Sequence, residues 1–157
     1  MNWDHESGSF ITALDKKTGK EIWRTKREES TAWATPLVVN YDRKQQVITS
    51  ASGKIHSYDL ANGELLWEST GMTANVIPSP VTDDDVVYLT SGYRGNMLMA
   101  VKLAAAKGDI SNSTEAIAWK YDKDTPYVPS PLLYNGSLYI LKSNNGVLTA
   151  FDAKSGQ

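Results

Sequence analysis

The chain has 157 residues, 16 Lys+Arg against 18 Asp+Glu, 22% charged and 41% hydrophobic residues, and no cysteine. That balance suits one packed domain and excludes a highly charged disordered segment. It leaves no basic excess with which to bind nucleic acid. No apolar run nears the ~18 residues of a membrane span, no signal-peptide core stands at the front, and no disulfide frame or thiolate metal site is available.

In chain order, Phe10-Ile11-Thr12-Ala13-Leu14 is apolar on both alternating faces, so it reads as a strand covered on both sides. Asp15-Lys16-Lys17-Thr18-Gly19 then turns the chain into a strand bearing Trp23. After Thr35-Pro36 come the strands Leu37-Val38-Val39 and Gln46-Val47-Ile48-Thr49-Ser50, then Ser57-Tyr58, the turn Asp59 to Gly63 and Trp67. Ser79-Pro80 leads into Val81-Thr82, a turn at Asp83-Asp84-Asp85 and the strand Val86 to Thr90. The stretch Leu98 to Lys107 is short and mixed, Lys102 stands where the other copies carry Asp, and Ala104 to Glu115 reads as an enlarged loop before Trp119. Ser130-Pro131 precedes Leu132-Leu133-Tyr134, Asn135-Gly136 and Ser137 to Leu141. Asn-Gly between apolar runs is a strong hairpin signal, because a type I′ turn needs positive φ at both central residues. A turn at Asn144-Asn145-Gly146 leads to Val147 to Phe151 and a last Asp152 to Gly156 element.

These elements repeat. Asp15, Gly19 and Trp23 recur 44 positions later as Asp59, Gly63 and Trp67; Trp119 follows 52 after that, and Asp152 and Gly156 open a fourth copy. The hydroxyl-Pro pairs keep step, with Trp-to-Pro distances of 13, 13 and 12. Units of this length, each reading as four short antiparallel strands, predict an all-β fold, a β-propeller of four-stranded blades. About three and a half blades are expected over 1–157: a part-blade at 1–23, blades at 24–67 and 68–119, the latter with the enlarged loop, and an incomplete blade at 120–157. The spacing puts the next Trp at position 160, beyond Gln157, so the chain reads as a fragment whose partners include the remainder of the ring. Trp23, Trp67 and Trp119 are expected to fill the gaps between blades, and Asp15, Asp59 and Asp152 to cap turns that Gly19, Gly63 and Gly156 permit.

The Ala-x-Asp-x-x-Thr-Gly-x-x-x-Trp pattern at 13–23, its weaker copy at 57–67 and the Asn-Gly-x-Leu-x-Ala-Phe-Asp stretch at 145–152 resemble the tryptophan-docking repeat of the quinoprotein (PQQ-like) β-propeller superfamily. That superfamily includes quinone-dependent alcohol and glucose dehydrogenases, BamB-like outer-membrane assembly lipoproteins and repeat proteins without known catalysis. The resemblance implies a periplasmic or secreted location. It also implies two functions to weigh: a non-catalytic scaffold that binds protein or ligand, and a dehydrogenase using PQQ and Ca²⁺.

The residues favour the scaffold. No catalytic set, cofactor site or metal site assembles in the sequence. His5 and His56 are 51 positions apart, and His56 reads as a hydrogen-bonded strand residue. Asp83-Asp84-Asp85 lacks the spacing of a calcium loop, and the Gly-rich piece Ser91 to Asn96 lacks the Gly-Lys-Ser/Thr of a phosphate loop. The loops between each Trp and the next hydroxyl-Pro pair differ from copy to copy, as binding loops do. They make Trp33, Asn75 and Tyr127 the candidates for contacting a ligand or protein partner.

Overall fold

The computed structural model describes residues 1–83, 85–142 and 146–157. The turn expected at Asn144-Asn145 and the middle of the Asp83-Asp84-Asp85 turn lie outside the described residues. The chain is all-β and forms four successive sheets. The first holds β1 (Asn2–Trp3), β2 (Ser9–Leu14) and β3 (Glu21–Arg27). The second is built on β4 (Leu37–Tyr41), β5 (Lys44–Ser50), β6 (Lys54–Asp59) and β7 (Leu65–Thr70). The two-residue β11 (Gly108–Asp109) adds to its edge from the third repeat. The third sheet holds β8 (Val81–Thr82), β9 (Val86–Ser91), β10 (Met97–Lys102) and β12 (Ile117–Tyr121); the fourth holds β13 (Leu132–Tyr134), β14 (Ser137–Lys142) and β15 (Val147–Asp152). Within each sheet, strands adjacent in sequence pair antiparallel, as blades of a partial propeller; β11 is the exception, pairing parallel with β7.

Period-two alternation explains why these strands are greasy on both sides. On β9, Val87 and Leu89 share an apolar layer with Ile48, Ile55 and Trp67 of the second sheet, while Tyr88 between them packs with Leu138, Ile140 and Phe151 of the fourth. Strand β10 divides in the same way, with Met99 and Val101 on one side and Leu98 and Ala100 on the other. A thinner layer of Ile11, Val47 and Tyr58 joins the first two sheets. Burying each large apolar side chain contributes roughly 1.5–3 kcal/mol, so the layers between sheets carry the fold.

The repeated turns share one geometry. The Asp15 carboxylate accepts the backbone N–H groups of Lys17 and Thr18 at 3.1 and 2.7 Å, and Asp152 accepts that of Ser155 at 2.7 Å. Asp59 accepts the N–H of Ala61 at 2.8 Å. Gly19, Gly63 and Gly156, at φ of 71°, 77° and 74°, each donate to the carbonyl of the repeat's Asp at 2.8 Å. Hydrogen bonds to the ionised form hold the Asp15 and Asp152 carboxyls below the usual range.

The third repeat departs from this pattern. With Lys102 in place of Asp and Ala106 in place of Gly, the chain makes a 3₁₀ turn over Leu103–Ala105, and Ala106 sits at φ −82°. The segment after it, within the enlarged loop, pairs with the second sheet. Gly108 and Asp109 lie opposite Trp67 and Glu68, Ile110 donates its N–H to the Glu68 carbonyl at 2.9 Å, and the Thr70 N–H donates to Ser111 Oγ at 3.0 Å. The insertion thus clasps the preceding sheet along its outer edge, and a 2.7 Å bond from Lys102 N to the Ala116 carbonyl closes its neck. Among the described residues, no helix is long and apolar enough to cross a membrane.

Among the described residues, two two-residue hairpin turns use positive φ at both central positions. Asn135 and Gly136 sit at 48° and 73°, the conformation that Asn-Gly favours. Between β4 and β5, Asp42 and Arg43 sit at 45° and 62°. Arg43 has a Cβ that the left-handed region penalises. Arg43→Gly is expected to raise stability by ~0.5–1 kcal/mol in urea denaturation. An unchanged or lower midpoint would mean that this turn does not hold Arg43 left-handed in solution.

Candidate functional site

The recurrent Trp residues lie between successive sheets. Trp23 packs its ring on Gly63, where any Cβ would collide with it, and donates its indole N–H to the Leu60 carbonyl at 2.9 Å. Trp119 does the same two interfaces on, against Gly156 and to the Ala153 carbonyl at 3.0 Å. Trp67 differs. Its equivalent acceptor, the Leu103 carbonyl, takes the Ala106 N–H of the 3₁₀ turn, and its indole donates at 2.9 Å to Gln46 Oε1, which also accepts the Ser57 hydroxyl at 2.6 Å. The replaced Asp and Gly of the third repeat account for the difference.

The connections from each outer strand to the next inner strand run side by side. The Thr35 N–H donates to Ser79 Oγ at 3.1 Å, and the Ser79 N–H donates to Ser130 Oγ at 2.9 Å, so each hydroxyl-Pro pair is tied to the next. On these connections Trp33 is 54% exposed and anchored by its N–H to the Val76 carbonyl at 2.8 Å. Asn75 is half-buried at φ 52°, with its N–H on Ser52 Oγ at 2.9 Å. The neighbouring Ala74 bridges Tyr93, whose ring stacks on Tyr127 at 4.9 Å between centroids. The structure therefore links Trp33, Asn75 and Tyr127 in one run across three repeats.

Tyr93 and Arg94 complete that run and were not among the sequence candidates. The Arg94 guanidinium lies 5.3 Å from the Tyr93 ring centroid. Gly92 lets the β9–β10 loop approach so closely that a Cβ there would strike the Thr125 and Pro126 backbone. The signal was the Gly-flanked Tyr93-Arg94 pair, whose glycines serve a close approach of two loops.

A second group of polar side chains is buried where the first and second sheets meet. Arg27 Nε lies 3.0 Å from Asp4 Oδ1, both side chains essentially without solvent contact, and Arg27 Nη1 donates to Thr49 Oγ1 at 2.6 Å. The guanidinium also lies 5.6 Å from the centroid of the Tyr58 ring. Beside it, His56 Nε2 is 3.6 Å from Glu29 Oε1 and 3.4 Å from Glu68 Oε2. Burial pushes the Asp4 and Glu29 carboxyls up and the Tyr58 hydroxyl to about 12. Burial, with Arg27 and Lys54 nearby, pushes His56 down to about 4. His56, expected as a hydrogen-bonded strand residue, faces two carboxylates instead, while His5 lies apart with Nδ1 on Ser7 Oγ at 2.8 Å. Among the described residues, no group of three or more His, Cys, Asp or Glu side chains is placed to hold a metal ion.

No family model matches the chain. In sequence it is similar to the outer membrane protein assembly factor BamB of Yersinia pestis, 25% identical over 163 aligned positions that take in 94% of this chain and 37% of that protein. In structure it is similar to BamB from Moraxella catarrhalis, with a TM-score of 0.59 and 23% identity, covering 96% of this chain and 43% of the other. The chain is thus BamB-like in sequence and propeller fold, and it spans about four-tenths of the length of each of these relatives.

Proposed function

We propose, from this likeness, that the chain is a non-catalytic propeller scaffold that binds protein partners in outer-membrane protein assembly, on the periplasmic side, a location that the superfamily resemblance supports. The observation that carries the reading is the continuous run of Trp33, Asn75, Tyr93 and Tyr127 on loops that rigid sheets hold in place. Aromatic side chains with few rotatable bonds, fixed by backbone hydrogen bonds, lose little entropy on binding and are enriched where interfaces concentrate their energy. The printed name of the Yersinia pestis relative, an assembly factor, supports protein as the class of partner. The other blades of a complete ring are a further partner under this reading.

The test places a photo-crosslinking amino acid at position 33, 127 or 43 and mixes each variant with a detergent-solubilised outer-membrane assembly complex. Crosslinks from 33 and 127 but not from 43, at the tip of the β4–β5 hairpin, are expected. Trp33→Ala combined with Tyr127→Ala is expected to weaken binding at least about tenfold, the loss of one interface hot spot. Equal crosslinking from all three positions would remove the loop face as the binding surface.

A further inference from the structure

The polar group between the first two sheets is unlike the other junctions. The second and third sheets, and the third and fourth, meet through apolar layers centred on Trp67 and on Tyr88 with Phe151. Among the described residues, the first and second share only Ile11, Val47 and Tyr58 as a buried apolar layer, beside Asp4, Arg27, Glu29, Thr49 and His56. We propose that this junction is a proton-sensitive hinge, at which acidification loosens the first sheet from the second while the later sheets stay packed.

The geometry carries the argument. β5 sets the uncharged Thr49 opposite His56, and the other elements packed around it contribute charged or titratable groups. Asp4 follows β1, Arg27 and Glu29 stand at and beyond the end of β3, Lys54 and Tyr58 lie on β6, and Glu68 lies on β7. His56 Nε2 faces the two Glu carboxylates, but its buried Nδ1 has no hydrogen-bond partner among the described residues. A neutral ring leaves a lone pair unmatched there; an imidazolium would leave a buried N–H donor unmatched beside the Arg27 cation, which costs more. The closed junction therefore holds the ring neutral.

The sign follows from linkage. With His56 at about 4 in the closed state against an ordinary 6.5, the open form takes up a proton first as pH falls below 6.5. Stability of the junction is lost across that window, down to about 4. Glu29 acts the other way: its carboxyl is raised in the closed state, so protonation on acidification favours closure. Asp4, also raised, acts in the same sense as Glu29, and its pairing with Arg27 limits its part.

Hydrogen exchange of the 157-residue chain between pH 7 and 5, corrected for intrinsic rates, tests the hinge. The opening constant of β2 relative to β9 is expected to rise several-fold per pH unit in the unsubstituted protein. In His56→Gln, where Glu29 and Asp4 remain, it should no longer rise and should fall on acidification, while in Glu29→Gln it should approach about tenfold per unit, the limit for a single proton. An unchanged slope in His56→Gln, or β2 and β9 opening together with one slope, overturns the proposal. Should His56→Gln not fold, a Glu29→Gln slope no steeper than that of the unsubstituted chain overturns it equally.

Discussion

Trp67→Ala is expected to lower folding stability by ~3–5 kcal/mol, the range for removing a fully buried large aromatic side chain. Trp67 is 1% exposed and lies in the largest apolar layer, between the second and third sheets. Ile48 and Ile55 pack in that layer from its own sheet, and Val87, Leu89, Met99 and Val101 from the next. Neighbours held on two separate sheets cannot collapse into the space an indole leaves, so most of the cavity cost persists. The polar loss is smaller, because Gln46 Oε1 keeps the Ser57 hydroxyl after the indole N–H is gone. Chemical denaturation followed by far-UV circular dichroism checks the value. A loss below ~1 kcal/mol would place the ring outside this layer. Trp23 and Trp119, half-buried at their own junctions, are expected to cost less on the same substitution.

Arg27→Met is the second large effect, at ~3–5 kcal/mol, because it leaves the Asp4 carboxylate buried without its partner. The substitution also strands the Thr49 hydroxyl, which accepts from Arg27 at 2.6 Å, and removes the cation beside the Tyr58 ring. Replacing both ends of the pair, Asp4→Leu with Arg27→Met, is expected to recover most of that loss, since two matched apolar groups need no desolvated charge. The pH dependence separates this account from simple loss of packing. Burial already raises the Asp4 carboxyl, and without Arg27 it rises further. As pH falls, the orphaned carboxyl takes up a proton in the folded state, so the penalty of Arg27→Met shrinks on acidification. Urea midpoints at pH 7 and 5 for the single and double variants measure it. A single-variant penalty that does not shrink, or a double variant no better than the single, would show that the ion pair is not what the substitution breaks.

The repeat was readable because its markers act locally. Asp15 and Gly19, Asp59 and Gly63, and Asp152 and Gly156 each close one turn within five residues, and the apolar alternation of Phe10 to Leu14 or Val86 to Thr90 is a property of a single strand. Even the irregular third copy announced itself, through Lys102 at the Asp position and the added residues before Trp119. What those residues do was not readable: parallel pairing of Gly108 and Asp109 with Trp67 and Glu68 joins positions about 41 apart with no signal in either segment.

Of the candidate face, Trp33, Asn75 and Tyr127 stood out because their loops vary while the frame around them repeats. Tyr93 entered only when folding laid the β9–β10 loop against Thr125 and Pro126. The junction of Asp4, Arg27, Glu29, His56 and Glu68 gave no warning at all. Its members come from three strands and two loops, and each alone is an ordinary polar or charged residue. The sequence by itself therefore determined the strands, the turns and the stacking of one repeat on the next, since backbone conformation and side-chain alternation are set by neighbours along the chain. Only the tertiary structure decided which charges lose their water together and which aromatic rings share a surface, because desolvation and contact depend on distances across sheets that no local pattern encodes.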